Sequence, residues 1–247
     1  MRKRSQLIKG LDKLEEESRI LLCFPYAGGG ASIFHSWKKE LFYDVKVCPI
    51  QLPGREERII EEPYTNVEKL TDDILCCLAE IDNDIILFGH SMGAKIAYSV
   101  AVELEKKYRG PKLLIVSGST APNSFESDLI NGLNDEEFKN RLMQFEGTPK
   151  EILENKELLN FFMPMLRADF TMNETCKFKD VFKLKCPILA LRGDEDKEVT
   201  QNDLYAWRTY TDNNKFECVA FHGNHFYIRS EEKILLQWIR KKIIEYV

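Results

Sequence analysis

Six short apolar runs recur along the chain with longer, periodically apolar segments between them. The runs are "RILLCF" (19–24), "VKVCPI" (45–50), "DIILFG" (84–89), "KLLIVSG" (112–118), "CPILALRG" (186–193) and "KFECVAF" (215–221). Each is apolar on both faces of a strand, the pattern of strands buried under helices on either side. Residues 67–80 put Val67, Leu70, Ile74, Leu75 and Leu78 near helical spacing, and 94–107 and 231–246 carry similar stripes. Strand and helix in alternation predict an α/β fold: a mostly parallel central sheet flanked by helices.

The alternation stops between Gly118 and Lys185. There the pattern offers helices near 134–145, 149–154 and 156–167 and no convincing strand, so an inserted helical subdomain is expected. Phe138, Leu142 and Phe145 share one face, as do Leu158, Phe162, Met165 and Leu166. Near the N-terminus, Leu7, Ile8, Leu11 and Leu14 fit one face of a short helix or a frayed tail.

Composition narrows the class. A chain of 247 residues suits one large domain or a domain with an insertion. Its net charge of −5, with both signs interspersed, predicts neither nucleic acid nor a membrane surface as partner. No segment has the roughly 20 apolar residues of a membrane span, and the basic N-terminus lacks the apolar stretch of a secretory signal. Seven scattered cysteines without a CxxC pair read as thiols of a reducing cytoplasm.

The chemistry begins at "LFGHSMGAK", which places Ser91 between Gly89 and Gly93, directly after a strand and before a helix. A Gly-x-Ser-x-Gly match alone is weak, but in that context the serine occupies a tight elbow whose neighbours must be small. The helix N-terminus then faces the serine and favours negative charge beside it. A serine hydroxyl needs a base, and the base needs an orienting carboxylate. "LRGDEDKEV" supplies acids after the fifth strand and "FHGNHFYI" supplies histidines after the sixth. Ser, acid, His is the chain order of the α/β-hydrolase triad. Asp196, clear of the strand end, is the expected acid, with Asp194 in reserve; His225 is the expected base, with His222 the rival. A zinc pair is the other reading of "HGNH", but no third ligand cluster accompanies it, so no metal is expected. His35 and His90 read as structural. The loop "FPYAGGGAS" is expected to offer the Ala27 amide as one oxyanion donor, with the Met92 amide as the other. Its "GGG" lacks the GxGxxG spacing and the Walker lysine-serine pair of a phosphate loop.

Five stretches occur in one order: "CFPYAGGGASIFHSW", "IQLPGREERI", "LFGHSMGAKIAY", "FFMPMLRADF" and "GNHFYI". In them the chain resembles the standalone type II thioesterases of polyketide and nonribosomal peptide synthesis, members of the α/β-hydrolase superfamily. The resemblance covers nearly everything from Arg19 onward, leaving residues 1–18 as an N-terminal extension to a domain over 19–247. It implies Ser91 as nucleophile, Asp196 and His225 as its partners, and a lid over an acyl chamber at about 120–180. It further implies a monomer without cofactor that hydrolyses acyl groups from the phosphopantetheine arm of acyl- or peptidyl-carrier domains. Met163, Met165 and Met172 are candidates to line the acyl site. Arg55, Arg58 and Arg167 could meet the phosphate or an acidic carrier, or form ion pairs within the fold. A small-molecule carboxylesterase or lipase shares the triad chemistry, and an idle synthase-docking module is the non-enzymatic alternative.

Overall fold

The computed structural model describes residues 6–14, 18–41, 43–107, 109–124, 129–145, 147 and 150–247. Parts of the N-terminal extension (1–5, 15–17), parts of the insertion (125–128, 146, 148) and the first residue of its second expected helix (149) therefore lie outside the described residues.

All six apolar runs are strands: β1 Ile20–Phe24, β2 Lys46–Pro49, β3 Ile85–His90, β4 Leu113–Ser117, β5 Ile188–Gly193 and β6 Phe216–Phe221. They form one sheet in the order β2-β1-β3-β4-β5-β6 with every pair parallel. The helices are α1 His35–Glu40, α2 Val67–Leu78, α3 Met92–Lys106, α4 Asp135–Leu142, α5 Lys150–Glu154, α6 Lys156–Thr175, α7 Gln201–Ala206, α8 Tyr227–Ser230 and α9 Glu232–Tyr246. Alternate residues of β1 feed opposite cores. Ile20, Leu22 and Phe24 pack with α2 and α3 on one face, and Leu21 and Cys23 pack with Trp37 of α1 and Leu235, Ile239 and Ile243 of α9 on the other. That two-sided burial is why the strands read as unbroken apolar runs.

Chain order reverses at the β1/β3 boundary, since β2 lies outside β1 while β3 to β6 run the other way. Loops leaving adjacent strands diverge at such a point and open a crevice at the C-terminal edge of the sheet. The loop after β1 and the turn after β3 flank it.

Between β4 and β5 the described residues are helical or irregular apart from a single bridge of Leu184 to Thr211, with Phe138 and Leu142 of α4 and Leu159, Met163 and Leu166 of α6 forming a separate small core. Side-chain caps start these helices: Asn134 accepts from Glu136 and Glu137, and Asn155 from Glu157 and Leu158.

The details correct the sequence reading in three places. Residues 7–14 are neither a one-faced helix nor a loose tail. Leu7 and Ile8 are buried, Ile8 bridges Ile50 antiparallel, and Leu11–Lys13 form a 3-10 turn, because the exposed edge of β2 offers backbone groups to pair. At the start of α6, Leu159 rather than Leu158 is buried, while Met165 and Leu166 are buried and Phe162 packs against them as expected. As the other edge, β6 is half-buried rather than covered on both faces. The cysteines are free, and burial pushes the Cys48 and Cys186 thiols up to about 12, leaving them unreactive.

Candidate active site

Ser91 connects β3 to α3 with φ 54° and ψ −122°, one of two non-glycine residues at positive φ among those described. Such backbone costs about 1–3 kcal/mol and persists only where its surroundings enforce it. Here they do. A Cβ on Gly89 would fall 2.6 Å from the Ala94 Cα, and one on Gly93 would fall 2.6 Å from the Phe24 carbonyl carbon and 2.7 Å from the Pro25 oxygen. The elbow is therefore pressed against the end of β1, and only glycines fit. The Ser91 amide donates to the Ser117 carbonyl at 2.7 Å, tying the turn to β4.

His225 follows β6 and is buried. Its Nδ1 lies 2.9 Å from Oδ2 of Asp196, whose side chain has no solvent exposure. The other oxygen, Oδ1, accepts the backbone amides of Glu198 at 2.8 Å and Val199 at 3.2 Å. Three donors thus converge on one carboxylate, and as an anion it holds the imidazole in the tautomer with its proton on Nδ1 and its lone pair on Nε2. Asp194 is placed elsewhere. It accepts from the Gly223 amide at 2.8 Å and faces His222 at 3.5 Å on the surface, and that amide bond, with His222 beside it, holds its carboxyl below the usual range. Asp194, Glu195 and His222 do cluster, but all three are exposed, and His225 stands apart from them.

Ser91, His225 and Ala27 line one cavity of about 450 Å³. Ala27 precedes two residues whose amides are already committed, Gly28 to Asp169 at 2.7 Å and Gly29 to the Tyr26 carbonyl at 2.9 Å. Met92 is the first residue of α3, where an amide has no acceptor within the helix. The methionines expected at the acyl site are not there: Met163 and Met165 fill the insertion's own core and Met172 the main one. Lys95, Asn173, Glu174, Phe145 and Phe170 line the cavity instead, so its wall mixes charge with aromatic surface.

Glu198, Ser117 and Tyr227 escaped the sequence reading. The Glu198 carboxylate stands 3.8 Å from Nε2 of His225; its place two residues beyond Asp196 was a signal that spacing alone does not resolve. His90 Nδ1 meets Ser117 Oγ at 2.8 Å, and Ser117 meets the Tyr227 hydroxyl at 2.6 Å, a polar chain beneath the site. Burial, helped by His225 and Arg229, pushes His90 well below 6.5 and keeps it neutral. The arginines serve the fold: Arg55 pairs with Asp169, Arg58 with Glu61 and the Gln51 carbonyl, and Arg167 with Asp135 while lying over the Phe138 ring. His35 is exposed at the start of α1.

A family model for the thioesterase domain matches residues 19–243. The chain belongs to the thioesterase family. Linear gramicidin dehydrogenase LgrE of Brevibacillus parabrevis is 36% identical over 95% of this chain and 92% of that protein. Its dehydrogenase name finds no echo in "AGGGA" after β1, which lacks the GxGxxG spacing. Thioesterase PikA5 of Streptomyces venezuelae is 34% identical over 85% of this chain and 76% of that one. The structure of BorB, a type II thioesterase from the borrelidin biosynthetic cluster, is similar with a TM-score of 0.85 and 31% identity, covering 96% of this chain and 97% of that one. Within the family, the chain is a type II thioesterase of the polyketide and nonribosomal peptide kind, with the α/β-hydrolase fold. No helix among the described residues is long and apolar enough to cross a membrane.

Proposed function

We propose that this thioesterase works through Ser91, His225 and Asp196 on acyl groups carried by the phosphopantetheine arm of acyl- or peptidyl-carrier domains, as a cytoplasmic monomer. The carrying observation is the convergence of the strained Ser91 turn and the Asp196-bound His225 on one cavity. Nε2 of His225 takes the Ser91 proton as Oγ attacks the thioester carbonyl. The new alkoxide sits against the amides of Ala27 and Met92, at the N-terminus of α3, where negative charge is favoured. Collapse breaks the C–S bond, and the imidazolium returns its proton to the departing thiolate. Water, deprotonated by the same nitrogen, then attacks the acyl-serine; the acid leaves and Ser91 regains its proton. Asp196 keeps its charge throughout and stabilises the imidazolium. In this reading residues 120–180 act as a lid, and α4 and α6 close the acyl chamber over the serine.

The test is a panel of acyl-loaded carrier domains and matched oxygen esters, scored by mass spectrometry for released acid, with the Ser91→Ala variant beside the wild type. Release from carriers that vanishes in the variant is expected. Hydrolysis undiminished in S91A overturns the nucleophile, and a strong preference for the free esters replaces the carrier assignment with a carboxylesterase.

A further inference from the structure

Away from the triad, one ion pair is almost wholly removed from water. Arg55, 4% exposed, grips Asp169, 1% exposed, through two parallel bonds, Nη1 to Oδ2 at 2.6 Å and Nη2 to Oδ1 at 2.7 Å. The partners are 114 residues apart, Arg55 in the loop after β2 and Asp169 on α6. Both also hold the loop after β1. Asp169 Oδ2 accepts the Gly28 amide at 2.7 Å, and Arg55 Nη1 donates to the Gly29 carbonyl at 3.0 Å while Nε donates to the Pro53 carbonyl at 3.2 Å. Gly28 has φ +80°, and a Cβ on it would press within 3.0 Å of Leu166 on α6. The two residues that follow Ala27 are thus clamped, one by its N–H and the other by its C=O, by a single pair that also seats α6.

A buried ion pair is a poor source of net stability, since desolvating both charges offsets most of their attraction. What this one supplies is geometry. A glycine loop with positive φ has many orientations open to it, and an oxyanion donor displaced by about 1 Å loses about 100-fold in rate. We infer that Arg55 and Asp169 are positioning residues for the oxyanion donor: they anchor Gly28 and Gly29, and the Gly29 amide in turn holds the Tyr26 carbonyl at 2.9 Å and so orients the Tyr26–Ala27 peptide that bears the Ala27 N–H, an orientation that through α6 depends on how the helical insertion is seated. The inference rests on the proposed role of the Ala27 amide.

The experiment compares wild type, Asp169→Asn and the double variant Arg55→Met/Asp169→Leu. The double variant removes both charges at similar volume and leaves no unpaired buried charge; because the Gly28 amide and the Gly29 and Pro53 carbonyls lose these partners, cooperative melting is the check that it folds. Substrate is an acyl-pantetheine thioester, and an alkyl boronic acid reports affinity for a tetrahedral adduct. In the double variant, kcat is expected to fall about 100- to 1,000-fold, with boronate affinity falling in parallel and KM within about threefold of wild type. D169N, which keeps an acceptor for Gly28 and loses one arginine bond, is expected to fall about tenfold with the same split. Either variant suffices: kcat within about threefold of wild type in a variant that melts cooperatively, or a loss confined to KM with boronate affinity unchanged, overturns the inference. Ser91→Ala is run alongside. Activity surviving in S91A sinks the triad reading; S91A dead with an active double variant sinks only the positioning role.

Discussion

Replacing Asp196 by Asn tests the site most sharply, because the surroundings dictate how the new side chain must sit. Oδ1 of Asp196 accepts two backbone amides, from Glu198 and Val199, and neither can face an NH2 group. The asparagine oxygen therefore takes that position, and its NH2 is turned toward Nδ1 of His225, where a carboxylate oxygen now lies at 2.9 Å. Two donors cannot face each other, so the imidazole must present its lone pair at Nδ1 and carry its proton on Nε2. The nitrogen that should accept the Ser91 proton is then already protonated. Loss of the correct tautomer in a Ser-His-Asp site lowers kcat by about 10⁴, equivalent to about 5.4 kcal/mol in the barrier. Folding should be nearly untouched, within about 1 kcal/mol, since the shape and all the hydrogen-bond contacts are kept. Steady-state hydrolysis of an acyl thioester gives the first number and urea unfolding the second. Asp194→Asn is the control, and its exposed bonds to Gly223 and His222 predict a rate near wild type. D196N retaining activity within about tenfold would refute the argument that this carboxylate sets the tautomer.

Three further outcomes follow from the same geometry. Gly93→Ala drives a methyl into the backbone of Phe24 and Pro25, so a loss at or above the upper end of the about 1–3 kcal/mol of ordinary overpacking is expected in urea unfolding, and a change below about 0.5 kcal/mol would contradict the contact. His90, held neutral by burial, refuses a proton that the unfolded chain accepts: its contribution is whole above about pH 6.5 and declines as pH falls from there toward its depressed folded value, by up to about 1.4 kcal/mol per unit. Urea midpoints measured down through that range should flatten in His90→Asn, and an unaltered slope speaks against the assignment. Dialysis against a chelator should leave kcat unchanged, because Nδ1 of His225 is committed to Asp196 and the Asp194–Glu195–His222 cluster lies outside the cavity; a rate restored only by added zinc would reverse this.

Much of this was legible in the chain itself, for a local reason. A strand buried on both faces must be apolar at every position, so β1, β3, β4 and β5 announce themselves, and an elbow too crowded for side chains must place glycines around its serine. The order serine, acid, histidine is likewise one-dimensional information, as is the end of the strand after which each falls. Asp194 and Asp196, by contrast, have the same chemistry two residues apart. Only the fold of their loop, which turns two amides onto one of them and leaves the other at the surface, separates them. The burial of Leu159 in place of Leu158 and the burial of Leu7 and Ile8 were decided by what lay opposite in space: the insertion's core and the open edge of β2. Arg55 was a candidate for an ion pair without a named partner, and Asp169 one acid among many, until the sheet's reversal of order drew their elements together over the glycine loop. Periodicity records what a residue needs from its own element, whereas a contact across 114 residues exists only once packing has chosen which elements meet.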